Sequence, residues 1–364
     1  MKRILIVAFF ICPFLTSIAQ DASTNCAQTL RLARSTYDQG RLHELERLLG
    51  ACLTNGFTKQ EKVEALKLLT MSYLYLEEPE RADSSMLLLL KTDPFFEYNE
   101  DVDPQEFIGL YNTFRTKPIF NVGLKLGVNT TFNNVTANYY VSGNAKGKLE
   151  YSPQIGFQLG LSFERAIFQN SKMGFLKRLT FAPEVLLVPR TFAINNAQPL
   201  LGDNGTSISV FDGTVNQNWL DLNVLLQYKL SKDRKGKKST FNPYVTLGPS
   251  VNYLLSSTLQ AVHTFKSGNV TSGPDLDVTS TVNTLVFSVV AGAGVKIKVG
   301  GIYLTGDIRY QHGIANITNP AERTNLESAF DYGYVPDDYT INNVSVMIGG
   351  SLPIFRPKKK THRK

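Results

Sequence analysis

The stretch Gln154-Ile-Gly-Phe-Gln-Leu-Gly-Leu-Ser-Phe-Glu164 decides the fold. Ile155, Phe157, Leu159, Leu161 and Phe163 fall on one face, while Gln154, Gly156, Gln158, Gly160, Ser162 and Glu164 fall on the other. Strict alternation of this kind marks a strand with one oily and one wet side. Strands in soluble sheets usually run about five or six residues. A tilted strand needs roughly nine to eleven to cross a bilayer. The stretch therefore predicts a membrane-crossing strand.

Outward from it, the same period recurs seven times between Pro118 and Phe355, giving eight strands in all. The strand before it carries Val122, Leu124, Leu126 and Val128 opposite Asn121 and Lys125. Those after it alternate Phe181, Pro183, Val185 and Leu187 with Ala182, Glu184 and Arg190, then Leu220, Leu222, Val224 and Leu226 with Asp221, Asn223, Gln227 and Lys229. Val245, Leu247, Val251 and Tyr253 oppose Thr246, Ser250 and Asn252; Phe287 to Ile297 oppose Ser288 and Lys296; Ile302, Leu304, Ile308 and Tyr310 oppose Thr305, Asp307, Arg309 and Gln311. Val344, Val346, Ile348, Leu352 and Ile354 close the series. Connections alternate between long (131–149, 194–217, 260–282, 317–341) and short (166–177, 231–240, 299–301). That is the pattern of an outer-membrane barrel with long outside loops and periplasmic turns and termini. Charge is nearly absent from the apolar face and recurs on the other, the reverse of a soluble lipocalin-type barrel.

Upstream, residues 24–115 change to helical period. Leu30, Ala33 and Tyr37, then Leu42, Leu45 and Leu49, predict a helical hairpin turning at Gln39-Gly40. Thr58-Lys-Gln-Glu61 is a capping box for a third helix, Pro79 opens a fourth, and Asp103-Pro-Gln-Glu106 reads as a box for a fifth. Leu66, Leu69, Tyr73, Ala82, Met86 and Pro94 resemble the tetratricopeptide spacing. The fold class is thus an all-α helical-repeat domain followed by an eight-stranded antiparallel transmembrane barrel.

The N-terminus reads as a signal peptide cut after Ala19: Lys2-Arg3, an apolar run from Ile4 to Leu15, then Thr16-Ser17-Ile18-Ala19. Cys12 leaves with it. Cys26 and Cys52 remain in an oxidising compartment, near adjoining ends of the first hairpin, and a disulfide is the default; two buried thiols are the other reading. Domains are therefore expected at 1–19, 24–115 and 118–355, with a basic tail at 356–364.

Pro118-Ile-Phe-Asn-Val-Gly-Leu-Lys-Leu-Gly127, Ala182-Pro-Glu-Val185, Leu220-Asp-Leu222 with Tyr228, and Asn242-Pro-Tyr-Val-Thr-Leu-Gly-Pro249 resemble the PorT-like outer membrane β-barrel family of the Bacteroidota, itself similar to small OmpA-type barrels. The resemblance implies a barrel and supplies no catalytic residues. Some members assist secretion or gliding machinery.

No catalytic motif is found, and His43, His263, His312 and His362 lack metal-ligand spacing, so neither enzyme activity, cofactor nor metal is expected. Asp101 and its acidic neighbours fail the spacing of a calcium loop. Glu184, Arg190, Asp221, Lys229, Lys296, Asp307 and Arg309 are expected to form a structural ion network, because inward charges in a filled lumen must pair. The net charge of +7 concentrates in Lys172, Lys177 and Arg178, in Lys232 to Lys238, and in the tail from Arg356. These read as a solvated rim, or as contacts to anionic head groups or peptidoglycan. The compartment excludes nucleic acid. The preferred function is a membrane barrel bearing a periplasmic domain that docks a protein partner of an envelope or secretion assembly. Small-solute transport or surface ligand binding is the alternative.

Overall fold

A computed structural model describes residues 19–139, 149–168, 171, 173–196, 200–201, 207–231, 240–265, 270–272, 274–324 and 334–360. The expected signal peptide and the basic residues 172, 232–238 and 361–364 lie outside them, residue 19 excepted. The described chain divides into two compact units: a helical one holding residues 19–118 and 355–360, and a β one holding the residues between.

In the helical unit, α1 spans Ala19–Asp38, α2 Leu45–Thr54, α3 Lys59–Tyr75, α4 Pro79–Thr92 and α5 Gln105–Thr113. Gly40 adopts φ +78° at the first turn, a conformation glycine tolerates without cost. Cys26 and Cys52 are bonded, with their Cα atoms 5.6 Å apart. The box at Thr58 is formed in both directions, the Glu61 amide donating to the threonine hydroxyl and the Glu61 carboxylate accepting from the Thr58 amide. Leu30, Leu45, Leu49, Leu66, Leu69, Met86, Leu89, Phe107 and Phe114 make one apolar core.

One expectation needs correction here. Asp103 does not cap α5; Pro104 holds the N-cap position without a side-chain bond. The Asp103 carboxylate is buried, accepts the Asn99 amide at 2.8 Å and pairs with Lys67, so an ion partner competed successfully for it. The described part of the tail, residues 356–360, stays largely exposed and is also tied to its own unit. Lys359 bridges antiparallel to Phe114, the Lys360 amide donates to the Thr113 carbonyl at 2.8 Å, and Phe355 packs edge-on against Phe95. Lys359 pairs with Asp83, and the Lys360 ammonium donates to the Asn112 carbonyl.

The β unit has eight long strands: β1 (Phe120–Ala137), β2 (Ile155–Ala166), β3 (Leu179–Asn196), β4 (Ser207–Lys229), β5 (Phe241–Phe265), β6 (Leu285–Val299), β7 (Ile302–Gly313) and β8 (Asp338–Ile354). Each pairs antiparallel with the next, and β8 pairs with β1, so the sheet closes on itself. Closure satisfies every strand edge within the sheet, as a bilayer demands. Inward glycines let the wall bend tightly. A Cβ on Gly160 would lie 2.2 Å from the Val185 carbonyl oxygen, and one on Gly248 would lie 2.0 Å from that of Val224.

Much of what the sequence suggested as long loop is strand. β5 alone has 25 residues, against the roughly nine to eleven that cross a bilayer. Its polarity explains the excess. Over the half nearer the short connections, Leu124, Phe157, Leu159, Leu247 and Ile348 point outward and are exposed, while Lys125, Glu184 and Asn252 are buried inside. Beyond Leu220 on β4 and Leu255 on β5 the pattern inverts. Asn216, Asn218 and Gln260 face outward, and Phe192, Val215, Trp219, Leu254 and Leu259 fill the interior. Leu255 is the extra residue of a bulge, since Asn218 pairs with Ser256 but Trp219 with Leu254. A wall bathed in lipid must be apolar outside, and a wall bathed in water must be apolar inside. The inversion marks where one solvent gives way to the other.

Candidate functional site

The interior of the lipid-level half is where sequence reasoning placed its candidates. Lys125 from β1 donates to Glu184 of β3 at 2.8 Å and to Asp307 of β7 at 2.7 Å. Arg309, two residues along β7, grips Glu184 with both terminal nitrogens and reaches Asp307 at 3.4 Å. The Tyr244 hydroxyl of β5 donates to the other Asp307 oxygen. Toward the short connections, Lys296 and Asn121 share Glu164. Toward the long connections, Arg190 pairs with Asp221 at 2.7 Å and lies 5.1 Å over the Trp219 ring. Gln311 donates to Asp221 and to Ser288, which in turn donates to Asn252 at 2.7 Å.

The structure thus brings Glu184, Asp307 and Arg309 into one cluster and Arg190 with Asp221 into a second, and gives Lys296 a carboxylate of its own. Lys229 stands half-buried at the end of β4 opposite Tyr244. Lys125, Glu164 and Tyr244 complete the clusters and were absent from the candidate set. Alternation alone pointed all three inward, but only cross-strand register shows what they touch. Lys125, Arg190, Lys296 and Arg309 are matched one for one by Glu164, Glu184, Asp221 and Asp307. Buried charges persist only when paired and hydrogen-bonded, and these are.

Above the ion layers sits an apolar plug. Tyr151, Phe192 and Tyr339 pack with ring centroids 5.6–6.0 Å apart, beside Trp219 and Leu254. At its rim Asp337 accepts the Tyr139 amide at 2.8 Å, and burial pushes its carboxyl up from the ordinary range. Asp277, by contrast, is held low by hydrogen bonds from Thr279. Chemically the arrangement is a filled, charge-balanced interior. Among the described residues no three His, Cys, Asp or Glu side chains come together to hold a metal.

Comparisons with known proteins bear on the barrel. OprG of Pseudomonas aeruginosa is 14% identical, with 66% of this chain and 98% of that one covered and a TM-score of 0.32. The N-terminal β-barrel domain of OprF from the same organism is 12% identical over 64% and 98%, with a TM-score of 0.24. The protease OmpT of Escherichia coli is 9% identical over 65% and 96%, with a TM-score of 0.31. At these levels no activity passes from any of them to this chain. No curated protein matches it. Residues 114–319 match the family model described as outer membrane protein beta-barrel domain, more than half of the sequence. The chain belongs to that outer-membrane β-barrel family, and its apolar-belted strands are transmembrane.

Proposed function

We propose that the barrel is a non-conducting, non-catalytic anchor and that the helical unit is the working part, docking a protein partner in the periplasm. One observation carries this reading. The lumen is occupied along its length, first by matched ion pairs and then by an aromatic plug, as in other eight-stranded barrels whose interior side chains leave no channel. The orientation follows from the hairpins: at the end opposite the chain termini their strands run on well past the lipid belt, and that extended end is placed outside, with the other connections and both termini in the periplasm.

The helical unit, read as tetratricopeptide-like, exposes Leu32, Tyr75 and Leu88, apolar groups of the kind partners cover. A PorT-like role in an envelope or secretion assembly fits this division of labour. Lys359 and Lys360 contact their own unit while Arg356 and Lys358 stay exposed, so the tail and the short connections, including Lys177 and Arg178, share any contact with anionic head groups or peptidoglycan. The test is affinity purification from native membranes with a tag after the signal peptide. The full chain should bring down a species that a chain lacking 24–115 does not. The same species on both would move the interaction surface to the barrel.

A further inference from the structure

The inversion of polarity leaves a surface that the anchor reading does not use. Just beyond the lipid belt, β3, β4 and β5 present a continuous outward grid: Thr191, then Asn218, Asn216 and Thr214, then Thr258 and Gln260. Asn216 pairs in register with Thr191 on one side and Thr258 on the other, and Thr214 with Gln260. The Asn218 amide donates to the Ser256 hydroxyl at 2.9 Å, so part of the grid is already aligned. None of these six positions is charged; the next outward row, farther from the belt, carries Glu150 and Asp212 on either side of Asn195 and no cation. A water-facing sheet ordinarily carries lysine and glutamate, and this chain carries both in its lumen and turns. The grid is backed by Val215, Trp219, Leu259 and Ala261, all buried, which hold it firm.

We infer that this grid is a contact surface for the saccharide head groups of glycolipid in the surrounding leaflet. Three observations point that way. The grid adjoins the lipid-facing residues Leu187, Leu220 and Tyr253 and so lies at head-group height. Its side-chain amides and hydroxyls stand about 5 Å apart across strands, the scale on which a sugar ring displays its hydroxyls. It offers both donors and acceptors but no cation, which suits neutral polyhydroxyl groups and does not suit phosphate. The inference rests on the orientation proposed above, with the long connections outside.

The test uses the full chain in nanodiscs of phosphatidylethanolamine and phosphatidylglycerol, with or without rough lipooligosaccharide. Lipooligosaccharide retained after transfer to detergent is counted by native mass spectrometry. The wild type should retain it, and core oligosaccharide freed of its lipid should compete. The combined variant Thr214→Val, Asn216→Ala, Thr258→Val, Gln260→Ala removes the hydrogen-bonding groups and keeps strand-forming residues. It should retain at least roughly tenfold less while still migrating as a folded barrel. No retention by wild type, equal retention by the variant, or equal retention of phosphatidylglycerol would overturn the inference. Protease access to the long connections in intact cells reports orientation separately. Loops found inside would sink the orientation and this surface together; loops outside without retention would sink this surface alone.

Discussion

Replacing Lys125 with methionine removes one of the two cations that bridge both carboxylates of the central cluster. Glu184 and Asp307 are almost fully buried, and Arg309 would be left alone to balance them. Breaking a buried pair by removing one partner typically costs about 3–5 kcal/mol, because an uncompensated charge stays behind. Lys125→Met is therefore expected to lose that much in urea unfolding of the reconstituted barrel, followed by heat-modifiable migration on gels. Adding Asp307→Asn restores the balance, leaving Glu184 with Arg309 and a neutral acceptor for Tyr244. The double variant should recover a large part of the loss, a coupling of about 0.5–3 kcal/mol. If Lys125→Met unfolds within about 1 kcal/mol of wild type, or if the double variant is as unstable as the sum of its singles, the cluster is not the closed network described.

The belt boundary is tested by a pair of substitutions: Leu159→Arg, outward at lipid level, should cost about 2–4 kcal/mol, while Asn216→Arg, outward beyond the inversion, should stay within about 0.5 kcal/mol; similar costs would misplace the boundary. Thiol labelling of unfolded, unreduced mature protein should find no free cysteine, and reduction should remove about 3 kcal/mol from the helical unit. Tyr111, whose hydroxyl donates to the Phe96 carbonyl at 2.8 Å, is pushed up to about 12, chiefly by burial. Its folded pKa exceeds its unfolded one, so the contribution is full below about pH 10 and lost as pH rises toward 12. The helical circular dichroism signal should fall across that window, and Tyr111→Phe should shift the fall upward.

Strand number and face were legible because a bilayer forces one polarity on every crossing: Leu159 and Gln158 cannot exchange faces. The helical core was legible because water forces one face of each helix inward, through spacings such as Ala82, Met86 and Leu89. The ion clusters were readable as faces and not as contacts, since Lys125, Glu184 and Asp307 come from strands far apart in sequence. The inversion was hidden at Tyr253-Leu254-Leu255, where a bulge puts apolar side chains on both faces and erases the alternation. Asp103 misled because a capping box and a buried ion pair ask for the same residue. The tail's docking on Phe114 and Arg115 leaves no mark in either period.

Single-channel recording on the full chain in planar bilayers bears most directly on the filled lumen. Matched ion layers beneath an aromatic plug should give no discrete conductance at any voltage the bilayer withstands. Reproducible, ion-selective steps that disappear when insertion is blocked by Leu159→Arg would contradict the anchor reading and return the barrel to transport.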